Sequence, residues 1–159
     1  KKFYSWVDLG SEYRAPELSC ALLYSQLLKV KKIQKIRKKN WYIIKNLIDK
    51  LNTNKFYLIE SNKKSTSAYH ILGLIFKTSV LANKFKETFQ KKKIAATFHY
   101  VPLHKSKMGK KYCNYALPIT ENIYNKVVRL PLYSEMTSKE LLKISSLIKD
   151  FLSKMIIAN

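Results

Sequence analysis

The stretch KFYLIESNKKSTSAYHILGLIFK, residues 55–77, decides the fold class. It contains two short apolar runs, KFYLIE at 55–60 and YHILGLIFK at 69–77, separated by the polar loop SNKKSTS at 61–67. Short runs of aromatic and β-branched residues bounded by polar loops predict strands, and the composition of the second run is typical of a buried strand. Gly73 inside that run predicts a close approach of another part of the backbone.

Helices are predicted on both sides of these strands. Pro16 suits a first helical turn, so we expect a helix over 16–28. Its apolar residues cover most of the circumference, which predicts burial on two sides. Apolar residues at three- and four-residue spacing predict a long amphipathic helix over 29–51 and another helix over 79–92.

The rest of the chain supplies one more strand and two more helices. IAATFHYV at 94–101 is predicted to be the third strand, joined to the second through the 79–92 helix as in a split crossover unit. A short helix is expected around 120–126, and a final helix follows a cap at Thr137 or Ser138. This order predicts an α+β fold with a small, mainly antiparallel sheet and long flanking helices.

The net charge of +21 at pH 7 suggests, at first, a polyanion partner such as nucleic acid. Only three of the 31 basic residues are arginine, although bidentate recognition of phosphate favours arginine. The lysines are scattered over every segment, and Ile, Asn and Tyr are abundant beside them, which indicates an AT-rich coding bias and solvated lysines. A non-enzymatic, lysine-rich module that binds nucleic acid or another polyanion stays as the alternative, and steep salt dependence would reveal it.

Several classes of site and location are disfavoured. No stretch reaches the roughly 18 consecutive apolar residues of a membrane span, and no signal peptide is evident, so a soluble cytoplasmic protein is expected. Cys20 and Cys113 lie far apart and suggest reduced thiols, with no metal site. The chain has only three glycines and contains no phosphate-binding glycine loop, no nucleophile elbow and no paired carboxylates. The residues alone therefore give no complete catalytic constellation.

Three local patterns are candidates for function. WVDLGSEYRAPEL at 6–18 turns at Gly10 and places polar side chains before a helix N-terminus, where an anion could bind, although an ordinary helix cap explains it as well. FHYVPLH at 98–104 has two histidines and a tyrosine around a rigid proline, which suits either a pocket wall or a structural role. VVRLPLY at 127–133 is interpreted as a core strand and turn rather than a site.

In this order and at these separations, the patterns resemble the DegT/DnrJ/EryC1/StrS family of sugar-nucleotide aminotransferases. GSEYRAPELSCALLYSQL at 10–27 is similar to the family's glycine, aromatic-plus-Arg turn and following helix. FHYVPLH resembles its substrate-facing stretch, and RLPLYSEMTSKE at 129–140 resembles its Leu-Pro-Leu turn into the last helix. Within the family the likeness is greatest to the transaminase that makes dTDP-4-amino-4,6-dideoxygalactose for enterobacterial common antigen.

The resemblance implies the small C-terminal domain of a fold-type I enzyme that depends on pyridoxal 5'-phosphate. Residues 1–28 would be an interface and active-site loop with its helix, and 29–159 the C-terminal small domain. The large domain with the Schiff-base lysine would precede Lys1, where the chain starts without methionine. No lysine present matches the family's aldimine motif, so we expect no catalytic residue here and no activity from this chain alone.

The resemblance also implies roles for particular residues. Those near the cofactor phosphate or substrate of the neighbouring subunit in a homodimer would be Ser11, Tyr13 and Arg14. Those near the sugar would be His99, Tyr100 and His104. Glu12 departs from the asparagine of many family members, and its carboxylate would repel a phosphate. The intact enzyme would move an amino group from glutamate to a 4-keto-6-deoxy sugar nucleotide, with a dTDP-sugar expected. A split subunit that is completed by a separately encoded large domain would have the same sequence, so both alternatives stay open.

Overall fold

The computed structural model describes residues 13–62, 64–98, 100–113 and 115–157. The chain divides into two units, residues 1–32 and 33–159. Five α-helices and three strands are found in the described part: α1 (Glu17–Leu27), α2 (Val30–Leu51), β1 (Phe56–Leu58), β2 (Leu72–Phe76), α3 (Ser79–Lys91), α4 (Pro118–Ile123), β3 (Val127–Leu130) and α5 (Ser138–Ile157). Single 3-10 turns are formed by Leu103–Lys105 and Gly109–Lys111. Aromatic and β-branched residues at 3–9 predict a short extended segment, but these residues lie outside the described part of the chain.

The sheet belongs to the unit 33–159 and has the order β1-β2-β3. Both pairs are antiparallel: Phe56 lies opposite Phe76 in the first, and Leu72 opposite Leu130 in the second. The predicted α+β class with a small antiparallel sheet is therefore confirmed.

The predicted third strand, however, is wrong. Among the described residues of 94–101, only Thr97 forms a bridge, in which the Thr97 and Arg129 backbones exchange hydrogen bonds of 2.7 and 3.0 Å. Lys93 (φ 57°) and Tyr100 (φ 48°) adopt left-handed conformations on either side of the bridge, and such residues cannot continue an extended ladder. The third strand is instead β3, so the split crossover between strands 2 and 3 is not found.

The core lies on one face of the sheet, between the strands and the apolar sides of α2, α3 and α5. Five phenylalanines form its centre, with ring centroids 4.3–6.3 Å apart: Phe56, Phe76, Phe85, Phe89 and Phe151. Ile44 and Ile148 are fully buried beside the strands. Alternation along each strand sends Leu72 and Leu74 into this core and turns Gly73 to the opposite face.

Side-chain caps fix the start of two helices. The Leu81 amide donates to the Thr78 hydroxyl at 3.2 Å at the start of α3. At the start of α5, the Glu140 amide donates to Thr137 Oγ1 and the Thr137 amide donates to Glu140 Oε2, which is a capping box. The Thr137 backbone donor, with the Tyr133 and Thr137 hydroxyls, lowers the pKa of Glu140 to about 2. These bonds hold the turn between β3 and α5.

Helix α1 has the predicted position but not the predicted burial. None of its residues is buried, and Leu18, Leu22 and Leu23 are all exposed. The burial expected on two sides of this helix is therefore not found. No helix in the described part of the chain is long and apolar enough to cross a membrane.

Candidate functional site

A cavity of about 310 Å³ is lined by residues of α2, the connection between β1 and β2, and the strands β2 and β3. Gly73 of β2 and Arg129 of β3 contribute the strand side, and Trp41 and Tyr42 of α2 contribute an aromatic wall. A Cβ atom on Gly73 would approach Ile59 Cδ1 to 2.8 Å, so the absence of a side chain there lets the Ile59 side chain pack closely against β2. A close approach is found at Gly73, but it is made by a side chain and not by the predicted backbone.

Tyr69 completes the aromatic wall of this cavity, which we call the aromatic cavity. Its ring centroid lies 5.6 Å from that of Trp41 and 6.1 Å from that of Tyr42. Burial and a hydrogen bond with Tyr42 raise the pKa of the Tyr69 hydroxyl. Lys38 Nζ lies 5.8 Å from the Tyr69 ring, within cation–π range. The wall is therefore a packed cluster rather than three independent side chains.

A second cavity of about 600 Å³, the basic cavity, adjoins the first because both are lined by His70, Ile71 and Arg129. Tyr100 and Tyr133 add two hydroxyl groups to its lining. The predicted substrate residue Tyr100 thus lies beside a cation and an imidazole, which is chemistry that can bind an anionic or hydroxyl-rich ligand.

His104, the other described residue predicted to contact substrate, lines a different cavity. Its side chain is only 10% exposed, and Nε2 lies 3.3 Å from Glu121 Oε1. Lys105 Nζ pairs with Glu121 Oε2 at 2.7 Å, and the Leu117 amide donates to Oε1 at 3.2 Å. The His104 side chain therefore fastens the 103–113 loop to the start of α4. His99 lies outside the described residues.

The contacts of the Glu121 side chain with this loop should be lost at low pH, because they require the ionised carboxylate. The Lys105 ammonium, the Leu117 amide and His104 lower its pKa from 4.5 to about 2, against the opposing effect of desolvation. A lowered folded-state pKa means that the stabilisation is complete above about pH 4.5 and is lost as the pH falls toward 2. The Leu117 amide proton shift should therefore titrate with a midpoint near pH 2, measured by NMR.

In Glu121→Gln this titration should disappear, whereas Glu87→Gln on α3 should leave it unchanged. A wild-type midpoint near 4.5 would mean that the carboxylate does not make these contacts in solution.

The residues predicted to bind the cofactor lie in the unit 1–32. Tyr13 is 94% exposed, Arg14 is also exposed, and Ser11 lies outside the described residues. A phenol and a guanidinium can both donate hydrogen bonds to a phosphate.

The described residues do not form a complete site for pyridoxal phosphate. A lysine that forms an imine needs a lowered pKa, usually through desolvation. No lysine in the described part of the chain is buried. Hydrogen bonds to carboxylates raise the pKa of both Lys45 and Lys105, which is the opposite of activation. Across those same residues, no cluster of three His, Cys, Asp or Glu side chains could hold a metal ion.

Sequence reasoning missed the residues that the two cavities share. His70 was assigned to a buried strand, but β2 begins only at Leu72, and His70 is exposed before it. Arg129 was assigned to a core strand, which is correct for its backbone in β3, but its side chain lies on the face away from the core. Strict alternation in VVRL, with buried Val128 and Leu130, could have indicated that Arg129 points to the opposite face.

Comparison with known proteins supports the sequence resemblance. The family model described as "DegT/DnrJ/EryC1/StrS aminotransferase family" matches residues 1–149. Among solved structures, the chain is similar to PseC of Helicobacter pylori, an aminotransferase involved in the biosynthesis of pseudoaminic acid, with a TM-score of 0.78 and 23% identity over 96% of this chain and 42% of that one. It is also similar to DesV of S. venezuelae, with a TM-score of 0.80 and 16% identity over 95% of this chain and 40% of that one.

A curated relative, the uncharacterized protein MJ1066 of Methanocaldococcus jannaschii, is 23% identical over 96% of this chain and 40% of its own length. The chain thus spans about two fifths of the proteins that it matches. The family match covers nearly its whole length, and the α+β fold agrees with the solved structures. The chain belongs to the DegT/DnrJ/EryC1/StrS aminotransferase family.

Proposed function

We propose that this chain is the C-terminal part of a pyridoxal-phosphate-dependent transaminase that moves an amino group from glutamate to a 4-keto-6-deoxy sugar nucleotide. The observation that carries the proposal is the family match over residues 1–149. The cavities that bring Tyr100 beside His70 and Arg129 support it, since they offer donors for a polar, anionic substrate. The cofactor-binding lysine would come from outside this chain.

Within that enzyme the two units would have different tasks. Ser11, Tyr13 and Arg14, in the segment 1–28, would lie at a homodimer interface and donate to the cofactor phosphate or the substrate of the neighbouring subunit. The exposure of Tyr13 and Arg14 suits side chains that meet a ligand or another surface. Residues 29–159 would wall the substrate pocket, with Tyr100 orienting the sugar, and His99 and His104 close to it.

A dTDP-sugar is the proposed substrate, in the synthesis of enterobacterial common antigen or a related polysaccharide. The support for this finer assignment is the sequence likeness in WVDLGS, FHY-PLH and RLPL. A solved relative named for pseudoaminic acid biosynthesis is in keeping with an amino-sugar product in general.

The lysine-rich binding module has less support. A cavity of about 620 Å³ is lined by residues of α3 and α5 together with Lys55, and it contains several lysines. Glu87 and Asp150 are interleaved with them, so the groove does not present the continuous positive surface that a polyanion needs.

Two experiments test the proposed function. The protein that carries this chain in its source cells should have its intact mass measured, and should then be assayed with pyridoxal phosphate, glutamate and dTDP-4-keto-6-deoxyglucose. Mass spectrometry should find the 4-amino sugar nucleotide, and its absence with every keto-sugar nucleotide and donor tested would contradict the proposal.

The isolated 159-residue chain, in contrast, should form no stoichiometric imine with added pyridoxal phosphate. The measurement is the imine absorbance during titration, with surface imines removed by competition with free lysine. A saturable absorbance that a single Lys→Arg substitution abolishes would mean that the catalytic lysine is in this chain after all.

A further inference from the structure

The outer edge of the core opens into a groove between α3 and α5, which we call the α3–α5 groove. It has a volume of about 620 Å³ and shares no described residue with the linings of the aromatic and basic cavities. Four apolar side chains of the two helices form a strip along it: Leu81, Leu147, Phe151 and Met155. Leu147 and Phe151 belong to the buried core, and the other two are partly buried against it. The groove therefore offers an apolar edge of the core to another molecule.

Lysines surround this apolar strip. Five of them line the groove, from α3 and the residue after it, from α5 and from the residue before β1: Lys55, Lys84, Lys91, Lys92 and Lys154. The acidic residues of the lining are Glu87 and Asp150, so the groove carries an excess of three positive charges at neutral pH. Within the described part of the chain, ion pairs are formed by Lys45, His104 and Lys105, and none by the five lysines of the groove. Their unbalanced charge attracts an anionic partner.

The apolar strip and the charges together distinguish between four kinds of occupant. A nucleic acid would leave the strip unused, and Glu87 and Asp150 would repel its phosphates. A second copy of this chain, with its net charge of +21, would be repelled as well. A bilayer surface is too flat to enter a groove between two helices. An amphipathic helix with carboxylates beside its apolar face uses both the strip and the lysines, as in helix-in-groove recognition.

We infer that the α3–α5 groove docks an acidic amphipathic helix of another protein. Apolar side chains one turn apart on that helix pack on Phe151 and Met155. Its carboxylates lie at Lys91 of α3 on one side and at Lys154 of α5 on the other. This interaction goes beyond amino transfer, and it uses no residue of the aromatic or basic cavity.

The test uses a synthetic helical peptide of about 15 residues, roughly four turns, with leucines on one face and glutamates on both sides of that face. A control peptide has the same composition in an order that spreads the leucines and glutamates around the helix. Fluorescence anisotropy of each labelled peptide is measured during titration with the 159-residue chain. The first peptide should bind saturably and at least roughly tenfold more tightly than the control, because only the first presents an apolar face to the strip.

Met155 reports whether the peptide lies in the groove. The chain has three methionines, and the other two, Met108 and Met136, do not line the groove. With isotope-labelled methionine methyl groups, the peptide should shift the NMR signal of Met155 and leave the signals of Met108 and Met136 in place.

Matched charge reversals test the lysines. Lys91→Glu/Lys154→Glu should weaken binding of the first peptide roughly tenfold, since each change replaces an attraction with a repulsion. Lys139→Glu/Lys149→Glu gives the same net charge but changes lysines that do not line the groove, so it should alter the affinity by about twofold or less. All four side chains are exposed, and circular dichroism checks that both variants keep the fold.

Four results would overturn the inference: no saturable binding, equal affinities for the two peptides, an unchanged Met155 signal in the complex, or equal losses in the two double variants. Displacement of the peptide by a single-stranded oligonucleotide or by phosphatidylglycerol vesicles would assign the groove to a nucleic acid or a membrane instead. Self-association that disappears in Lys91→Glu/Lys154→Glu would assign it to a second copy of the chain. Because no amino transfer is measured, the proposed function is tested separately.

Discussion

Replacing Phe85 with alanine is expected to lower the free energy of unfolding by about 3–5 kcal/mol, the usual loss for a buried aromatic ring. Phe85 is completely buried, and its ring lies 4.3 Å from that of Phe89, 4.9 Å from that of Phe76 and 5.0 Å from that of Phe151. The substitution removes a ring that joins α3, β2 and α5. Urea denaturation followed by circular dichroism measures the change.

Val80→Ala is the matched control, because Val80 is on the same helix and is 60% exposed. It should change the unfolding free energy by about 0.5 kcal/mol or less. A loss below about 1 kcal/mol in Phe85→Ala would mean that the phenylalanine cluster is not packed as described.

Gly109→Ala should disrupt the 103–113 loop, at a cost of about 1–3 kcal/mol. A Cβ atom at Gly109 would overlap the Leu103 carbonyl, which is backbone and cannot swing aside. The Gly109 amide donates to the Ser106 hydroxyl at 2.8 Å, and that hydroxyl donates to the same Leu103 carbonyl at 2.7 Å. Hydrogen exchange of the Ser106 and Cys113 amides should accelerate, since the bonds that protect them belong to this turn.

Gly73→Ala is the control for Gly109→Ala. Its new Cβ would meet Ile59 Cδ1, the end of a flexible side chain that can change rotamer at a cost of about 1 kcal/mol. Exchange at Ser106 and Cys113 should therefore stay at the wild-type rate. If Gly109→Ala left the loop amides equally protected, the tight turn at Leu103 would not exist in solution.

The helices with long periodic patterns were predicted correctly from the sequence. The third strand, which depends on pairing with residues distant in the sequence, was not. Helices α2, α3 and α5 follow apolar spacing, which is local information. The segment 94–101 is apolar enough for a strand, but strand formation needs a partner along its length. With left-handed conformations at Lys93 and Tyr100, the described residues of this segment form a single bridge. β3 takes that place in the sheet.

The candidate site was predictable only in part for a similar reason. Tyr100 was selected as a candidate because FHYVPLH is a compact local pattern. Trp41, His70 and Arg129 are separated by 29 and 59 positions in the sequence, and only the tertiary fold brings them to the lining of one cavity. The 3-10 turn at Leu103–Lys105 brings the His104 ring to Glu121 and to a different cavity from that of Tyr100, and its place near the sugar stays a prediction.

The exposed leucines of α1 bear on how this helix comes to be folded at all. An isolated helix shorter than roughly 12–15 residues is marginal in water, and α1 has 11 residues and no buried side chain. Nucleation of a helix costs more free energy than this small number of backbone hydrogen bonds recovers. A segment of this kind therefore shifts between coil and helix until another surface covers its apolar side chains. If the chain is part of the proposed larger enzyme, folding of α1 would be coupled to association, and its helix content would measure how fully that enzyme has assembled.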